Sequence, residues 1–432
     1  MNAVFYSYSL FHSRMPYPIR VVLNVLFFPV AIVGAAIVAV RGHAKESPIW
    51  HMSQDDLSER FSFEIEKGHP NLDALRPVHE KLRGHIDAGD WLVVADLIER
   101  LDHSRASLPS GTRLMRPLLN GVWEHMVSQA LPDYVPAACE PVTAEVLADS
   151  HIANFVSTAQ AHPDRIGLQC LAAWMHLEMG WIRRGGDYVD FTGDDAFQGF
   201  EQHIKAAWDL TKDIDAQLVE SPLVAEIRYR CKAAGGATGL ADLEKAHAEW
   251  VALDPKNMEA FSLHGMFLLP RWYGSYDAVA DAAQSAFTTH HAETGLASYA
   301  ATYLGAIELD HAAMIGLNAG QFKDGLLDMT ERAKNPSAAL NAVCARLSDI
   351  CARTYAVTGK GEEKQIAAHK KVLKAILKKF IREGMGTVTP AIWEPQWSEL
   401  EVPYLLAEAF EDEILAGQHV HLDHMGATIS QP

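Results

Sequence analysis

No Cys-x-x-Cys pair and no cysteine spacing suited to zinc occurs in this chain of 432 residues. There are only five cysteines, Cys139, Cys170, Cys231, Cys344 and Cys351. An odd number in so long a chain is not a disulfide framework, and buried free thiols are the reading. Cys344 and Cys351 are seven apart, on one face of a helix and beyond disulfide reach. Alternating Val and Ile runs are also lacking, and with them the usual mark of strands. Lys and Arg number 37 against 55 Asp and Glu, a net charge of -18. That balance excludes a general nucleic-acid binder, which needs a basic face for phosphates. No Gly-rich phosphate loop, Gly-x-Ser-x-Gly, His-Glu-x-x-His or adjacent Cys–His arrangement is present. No catalytic residue, cofactor or metal site is therefore assigned.

One long apolar run is present. Val21 to Val40 reads VVLNVLFFPVAIVGAAIVAV, without a charge, between Arg20 and Arg41. As a helix it spans about 30 Å, the thickness of a bilayer's hydrocarbon core. Tyr6, Tyr8 and Tyr17 before it suit an interfacial aromatic belt. A cleaved signal peptide has a shorter core, roughly 7–15 residues. The expectation is a single-pass anchor in residues 1–41, a polar connector over 42–60 and a helical-repeat domain over 61–432. Arg14 and Arg20 on one side balance Arg41, Lys45 and Arg60 on the other, so the positive-inside rule assigns no side. The unpaired cysteines lean toward a cytoplasmic body.

The body is rich in Ala, Leu, Glu and Lys and reads as all-α. Leu82 to Ile86, the turn Asp87-Ala-Gly-Asp90, and Trp91 to Leu101 form helix, turn and helix. Leu240, Leu243, His247, Trp250 and Val251 make one apolar stripe at three-and-four spacing. Ser221-Pro222 and Asp254-Pro255, 33 residues apart, each read as a cap before a proline at the first helical position, and Asn335-Pro336 repeats the signal. A period near 34 residues with paired helices predicts a tetratricopeptide-like array, an α-solenoid, clearest over 169–335. Such pairs bury their faces only by stacking, which yields a superhelix with a concave binding surface.

The stretch from about 169 to 305 resembles a bacterial tetratricopeptide-like family catalogued as a domain of unknown function. The matching pieces are Ala173-Trp174, Trp181, the Arg184-Gly-Gly186 turn, Phe200 to Leu210, Leu253-Asp-Pro255 and Leu268-Leu-Pro-Arg-Trp-Tyr-Gly-Ser275. The family's last motif has glycine where this chain has Tyr273. The resemblance implies a helical-repeat fold and carries no activity with it.

Four places are candidate sites. In the loop Pro270 to Asp277, Arg271 can grip an anion while Trp272 and Tyr273 stack on a ligand. The same residues also suit a turn. Pro270 ends one helix, Arg271 meets that helix's last carbonyls, Trp272 fills a gap between repeats and Ser275 caps the next helix. Asp187, Asp190, Asp194 and Asp195 do not have EF-hand spacing, and the last two read as a cap and first-turn acids. His419, His421, Asp423 and His424 have ligand-type spacing but lie near the chain end. Lys370, Lys371, Lys374, Lys378 and Lys379 share a helix with an apolar stripe, which suits a membrane surface, a partner, or an acidic face of the same fold. Together these readings give a non-catalytic, membrane-anchored helical-repeat protein that binds a protein or peptide. The alternative is a small-molecule-binding protein or enzyme with a pocket at Pro270–Ser275.

Overall fold

In a computed structural model the protein is described over residues 47–130, 151–184, 193–353, 360–394 and 396–431. The apolar segment 21–40 lies outside these residues, as do Cys139, Asp187 and Asp190. Among the described residues no helix is long and apolar enough to cross a membrane.

The molecule is mostly helical. Its longer helices are α1 (Pro70–Asp87), α2 (Trp91–Ser104), α3 (Met115–Ala130), α4 (His151–Ala161), α5 (Ile166–Arg184), α6 (Asp194–Thr211) and α7 (Pro222–Cys231). They continue with α8 (Leu240–Leu253), α9 (Met258–Phe267), α10 (Tyr276–Thr294), α11 (Ala297–Leu309), α12 (Ala319–Glu331), α13 (Pro336–Ala352) and α14 (Lys360–Gly384). From α5 to α9 each helix packs on the next; α9 then packs on α11, and α11 through α14 follow in order.

Local chemistry sets the boundaries. Ser221 caps α7 by accepting from the Val224 N–H, with Pro222 at the first position, and Asn335 does the same for α13 before Pro336. Asp254 is not the cap that Asp254-Pro255 suggests. Its carboxylate is taken by Arg113, and α9 starts later, at Met258, capped by Asn257. An ion pair has displaced the capping role. Asp194 and Asp195 lie in the first turn of α6, whose N-cap is Gly193.

The crossing of α9 and α11 is built on glycines. A Cβ on Gly265 of α9 would run into the Thr302 carbonyl oxygen on α11, and one on Gly305 of α11 into the Ser262 carbonyl oxygen on α9. Both glycines are there for approach rather than for backbone freedom.

The all-α expectation is incomplete, because the structure contains a four-stranded sheet in the order β2-β1-β3-β4. The strands are β1 (Phe61–Ile65), β2 (Thr387–Val388), β3 (His419–Asp423) and β4 (Gly426–Ser430). β1 lies parallel to β2 and to β3, and β3–β4 is a hairpin. The strands have only two to five residues, and β1 pairs with β2 and β3 across more than 300 positions, so only the short β3–β4 hairpin is local in sequence.

This sheet closes the chain on itself. Residues 47–60, expected as a connector, are seated in the C-terminal core, with Ile49 and Leu57 buried there and Trp50 stacked on Tyr404 at 5.3 Å. A second closure joins the loop after α2 to the turn before α13. The Asn335 N–H donates to the Pro109 carbonyl, and Lys334 Nζ to the Ser107 carbonyl, both at 2.8 Å. The two ends of the described chain are thus tied together through the sheet, and the loop after α2 is tied to the turn before α13.

Two hydrophobic cores divide the molecule. One is centred on α1–α9; the other takes residues 49–61 and most of the chain from Leu268 onward. Phe267 belongs to the first and Leu268 and Leu269 to the second, so the Pro-Arg-Trp loop leaves the chain at the seam between them.

Candidate functional site

The loop after α9 is held at three points. Ser275 caps α10 by accepting from the Ala278 N–H at 3.1 Å, as its position predicts. Gly274 passes so close that a Cβ there would sit 2.5 Å from the Leu268 carbonyl oxygen. The tight approach falls at Gly274, which leaves Tyr273 free to bear a side chain. The Tyr273 hydroxyl donates to the Lys232 carbonyl at 3.0 Å.

Arg271 does not bond the carbonyls of its own helix. Its Nη2 donates to the Leu309 carbonyl of α11 at 3.2 Å and faces Asp310 at 3.5 Å. The guanidinium meets the negative end of a neighbouring helix and ties the loop to the second core. Trp272 does not fill an inter-repeat gap. It stands edge-on to Phe267, ring centroids 5.2 Å apart, and keeps 36% of its surface exposed. Sequence grouped Arg271, Trp272 and Tyr273 as one grip; the structure sends them in three directions.

Trp272 instead forms one wall of a cleft of about 710 Å3. The opposite walls come from Trp181 of α5 and from Phe197, Phe200 and Trp208 of α6. Trp181 packs on Phe200 at 4.9 Å, so these rings support one another. The floor is the π-helical turn Lys232–Gly236 that follows α7, with Gly235 at φ +120°. Such turns splay the backbone and recur at functional sites. The rim carries both charge signs: Glu201 and Lys205 on α6, and Lys232 paired with Asp242. Arg184 lies over the Trp181 and Phe197 rings at 5.8 and 5.9 Å, and Lys232 over Trp208 at 5.8 Å. Cys231 also lines the cleft, but burial pushes its thiol up to about 12, which keeps it protonated and poorly nucleophilic.

Trp208 and Lys232 escape the reading of the loop because they come from other helices. The signal for α6 is present: Phe200, Ile204 and Trp208 recur every four residues and share one face.

The other candidates are absorbed by the fold. Lys374 pairs with Glu408 at 2.8 Å, Lys378 with Glu411 at 3.8 Å, and Arg382 with Glu413, so α14 lays part of its basic side on an acidic face of its own chain. Lys370 donates to the Arg353 carbonyl, Lys379 pairs with Glu383 on the same helix, and Lys371 is exposed. The histidine cluster is a strand and not a frayed end. Val420 and Leu422 point inward while His419 and His421 meet Ser62 of β1, at 3.4 and 2.8 Å, and His424 faces Glu64 at 3.4 Å. Among the described residues no group of three or more His, Cys, Asp or Glu is arranged to hold a metal ion.

No family model, no curated protein and no solved structure matches the chain.

Proposed function

We propose that this is a non-catalytic, membrane-tethered helical-repeat protein that binds a partner peptide segment in the aromatic cleft. The single observation behind the reading is the convergence of Trp181, Phe200, Trp208 and Trp272, from three parts of the chain, on one accessible hollow. Trp272 is exposed, Trp181 and Trp208 are half-buried and Phe200 is buried behind them, and such an aromatic lining under a mixed-charge rim has the composition of an interface hot spot. The segment inserts an apolar or aromatic side chain between the rings, and its backbone runs along the rim formed by Glu201 and Lys205. The tether is the apolar run 21–40. Its C-terminal end lies seven residues before Ser47, the first described residue, so the body stays close to the bilayer.

A second reading, a small-molecule site on the same walls, draws support from the volume, which lies in the usual range of about 300–1,000 Å3 for ligand pockets. Selection from a random peptide library on immobilised protein separates the two. Enrichment of a short motif with one apolar anchor, lost in Trp272→Ala, supports the peptide reading; no enrichment on the folded wild type rejects it.

A further inference from the structure

A second cavity, of about 450 Å3, lies where the loop after α2 meets the turn before α13. Five cations line it, Arg113, Lys256, Arg332, Lys334 and Arg346, against three carboxylates, Glu259, Glu293 and Asp328. This is an inverted charge balance in a chain of net charge -18.

Pairing narrows the excess to three cations, Lys256, Arg332 and Lys334, against two carboxylates, Glu293 and Asp328, but leaves those three cations without an acidic partner. Arg113 and Arg346 are each held in a fork by a carboxylate that lies outside the lining, Asp254 and Glu308 respectively. Arg332 bonds only a carbonyl, that of Glu293 at 3.2 Å, and Lys334 only the Ser107 carbonyl. Among the described residues Lys256, Arg332 and Lys334 have no carboxylate partner within ion-pair distance. Two of the three lining acids are already engaged, Glu259 with Arg116 and Asp328 with the Leu296 N–H at 2.6 Å. Arg346 keeps Nη1 without a protein partner among the described residues, its other nitrogens being taken by Glu308 and Ser262. A guanidinium fixed from behind in this way offers its remaining N–H groups at no further ordering cost. Low-dielectric walls focus the field of such a cavity. The rest of the lining is small and apolar, formed by Ala297, Ala301 and Leu304 of α11 and Ala339, Ala342 and Val343 of α13.

We infer that this cavity binds a small amphiphilic anion. Its carboxylate or phosphate head lies among Lys256, Arg332 and Lys334, the lining cations without a carboxylate partner, and its apolar body lies on the Ala339, Ala342 and Val343 face that runs along α13 toward Arg346. The site is separate from the aromatic cleft and stands or falls independently of it.

Calorimetric titration of the full chain with hexyl phosphate, hexanoate and hexanol tests this. The expected result is one-site binding of at least one of the two anions, with hexanol at least about tenfold weaker, the worth of one charge-assisted hydrogen bond. The stronger of the two anions identifies the head group. Lys256→Gln/Arg332→Gln, both exposed and outside the two hydrophobic cores, weakens the anion by about tenfold or more, while loss of the Arg332 bond to the Glu293 carbonyl lowers the thermal midpoint only slightly and the protein stays folded. Trp272→Ala leaves the affinity unchanged. No heat with either anion, equal binding of hexanol, an unaffected double variant, or loss of binding in Trp272→Ala each overturns the inference.

Discussion

The Tyr273 hydroxyl donates to the Lys232 carbonyl at 3.0 Å, and this bond ties the Pro-Arg-Trp loop to the π-helical turn that floors the aromatic cleft. The loop therefore sets the shape of a site to which it gives only one ring. Removing the hydroxyl by Tyr273→Phe costs about 1 kcal/mol, the net worth of one partly buried hydrogen bond. A small drop in the thermal midpoint with weaker peptide binding is expected. Unchanged affinity in Tyr273→Phe would show that the tie does not shape the cleft.

The glycine crossing of α9 and α11 gives a sharper stability prediction. Gly265→Ala and Gly305→Ala each place a methyl against opposing backbone, which has no rotamer to move. Each is expected to destabilise by more than about 2 kcal/mol, the range of overpacked cores. Gly84→Ala on α1, where a Cβ meets nothing, is the control and is expected to stabilise slightly. Denaturant midpoints of the three variants check this; equal effects at all three positions would contradict the crossing.

Much of the helical layout was legible from residues alone. Ser221-Pro222, Asn335-Pro336 and Ser275 mark helix starts because a side-chain oxygen beside the first turn has one obvious use. Asp254-Pro255 misleads for a physical reason: an arginine 141 positions away competes for the same carboxylate. The pairing of β1 with β3 was illegible because Phe61 and its partner Val420 lie at opposite ends of the described chain. The alternation His419, Val420, His421, Leu422 looks equally like ligand spacing and like a half-buried strand. Trp272 was legible as unusual. Its true neighbours, Trp181, Phe200 and Trp208, were not, since contact between helices leaves no trace in local spacing.

Asn341 ties α13 to β2 and the residues that follow it. It is buried on α13 and makes four hydrogen bonds: Nδ2 donates to the Ser337 and Thr387 carbonyls, and Oδ1 accepts from the Thr389 N–H and from Trp393 Nε1. Asn341→Leu leaves an indole N–H, a backbone N–H and a backbone carbonyl buried without partners. A loss of about 3 kcal/mol or more is expected, from about 1–3 kcal/mol for each orphaned group. Loss of hydrogen-exchange protection at Thr387–Thr389 is the specific readout, and normal protection there would refute the role.

Acid should weaken the fold. Burial holds the imidazoles of His264 and His311 down at about 3, that of His203 at about 4, and that of His247, stacked 3.9 Å from His264, well below its ordinary value. Each folded value lies below the unfolded value near 6.5, so the stability these groups contribute is complete above that pH. It is lost as pH falls from about 6.5 toward the folded values, at about 1.4 kcal/mol per unit for a fully buried histidine. Asp102, raised to about 6 by burial, acts in the opposite sense, because protonation relieves its buried charge as pH falls through 6. Glu178 and Asp254 are also raised by burial and join it, but the histidines prevail. The thermal midpoint is expected to be flat from pH 8 to 6.5 and to fall steadily below 6. A midpoint that rises on acidification to pH 5 would reverse this ordering.

The most direct test of the aromatic cleft is a parallel peptide-library selection on wild type, Trp272→Ala and Trp208→Ala, with folding checked by circular dichroism. The account predicts one enriched motif with a single apolar anchor on wild type and its loss on both variants, which alter opposite walls of one hollow. The same motif retained on both folded variants would contradict it.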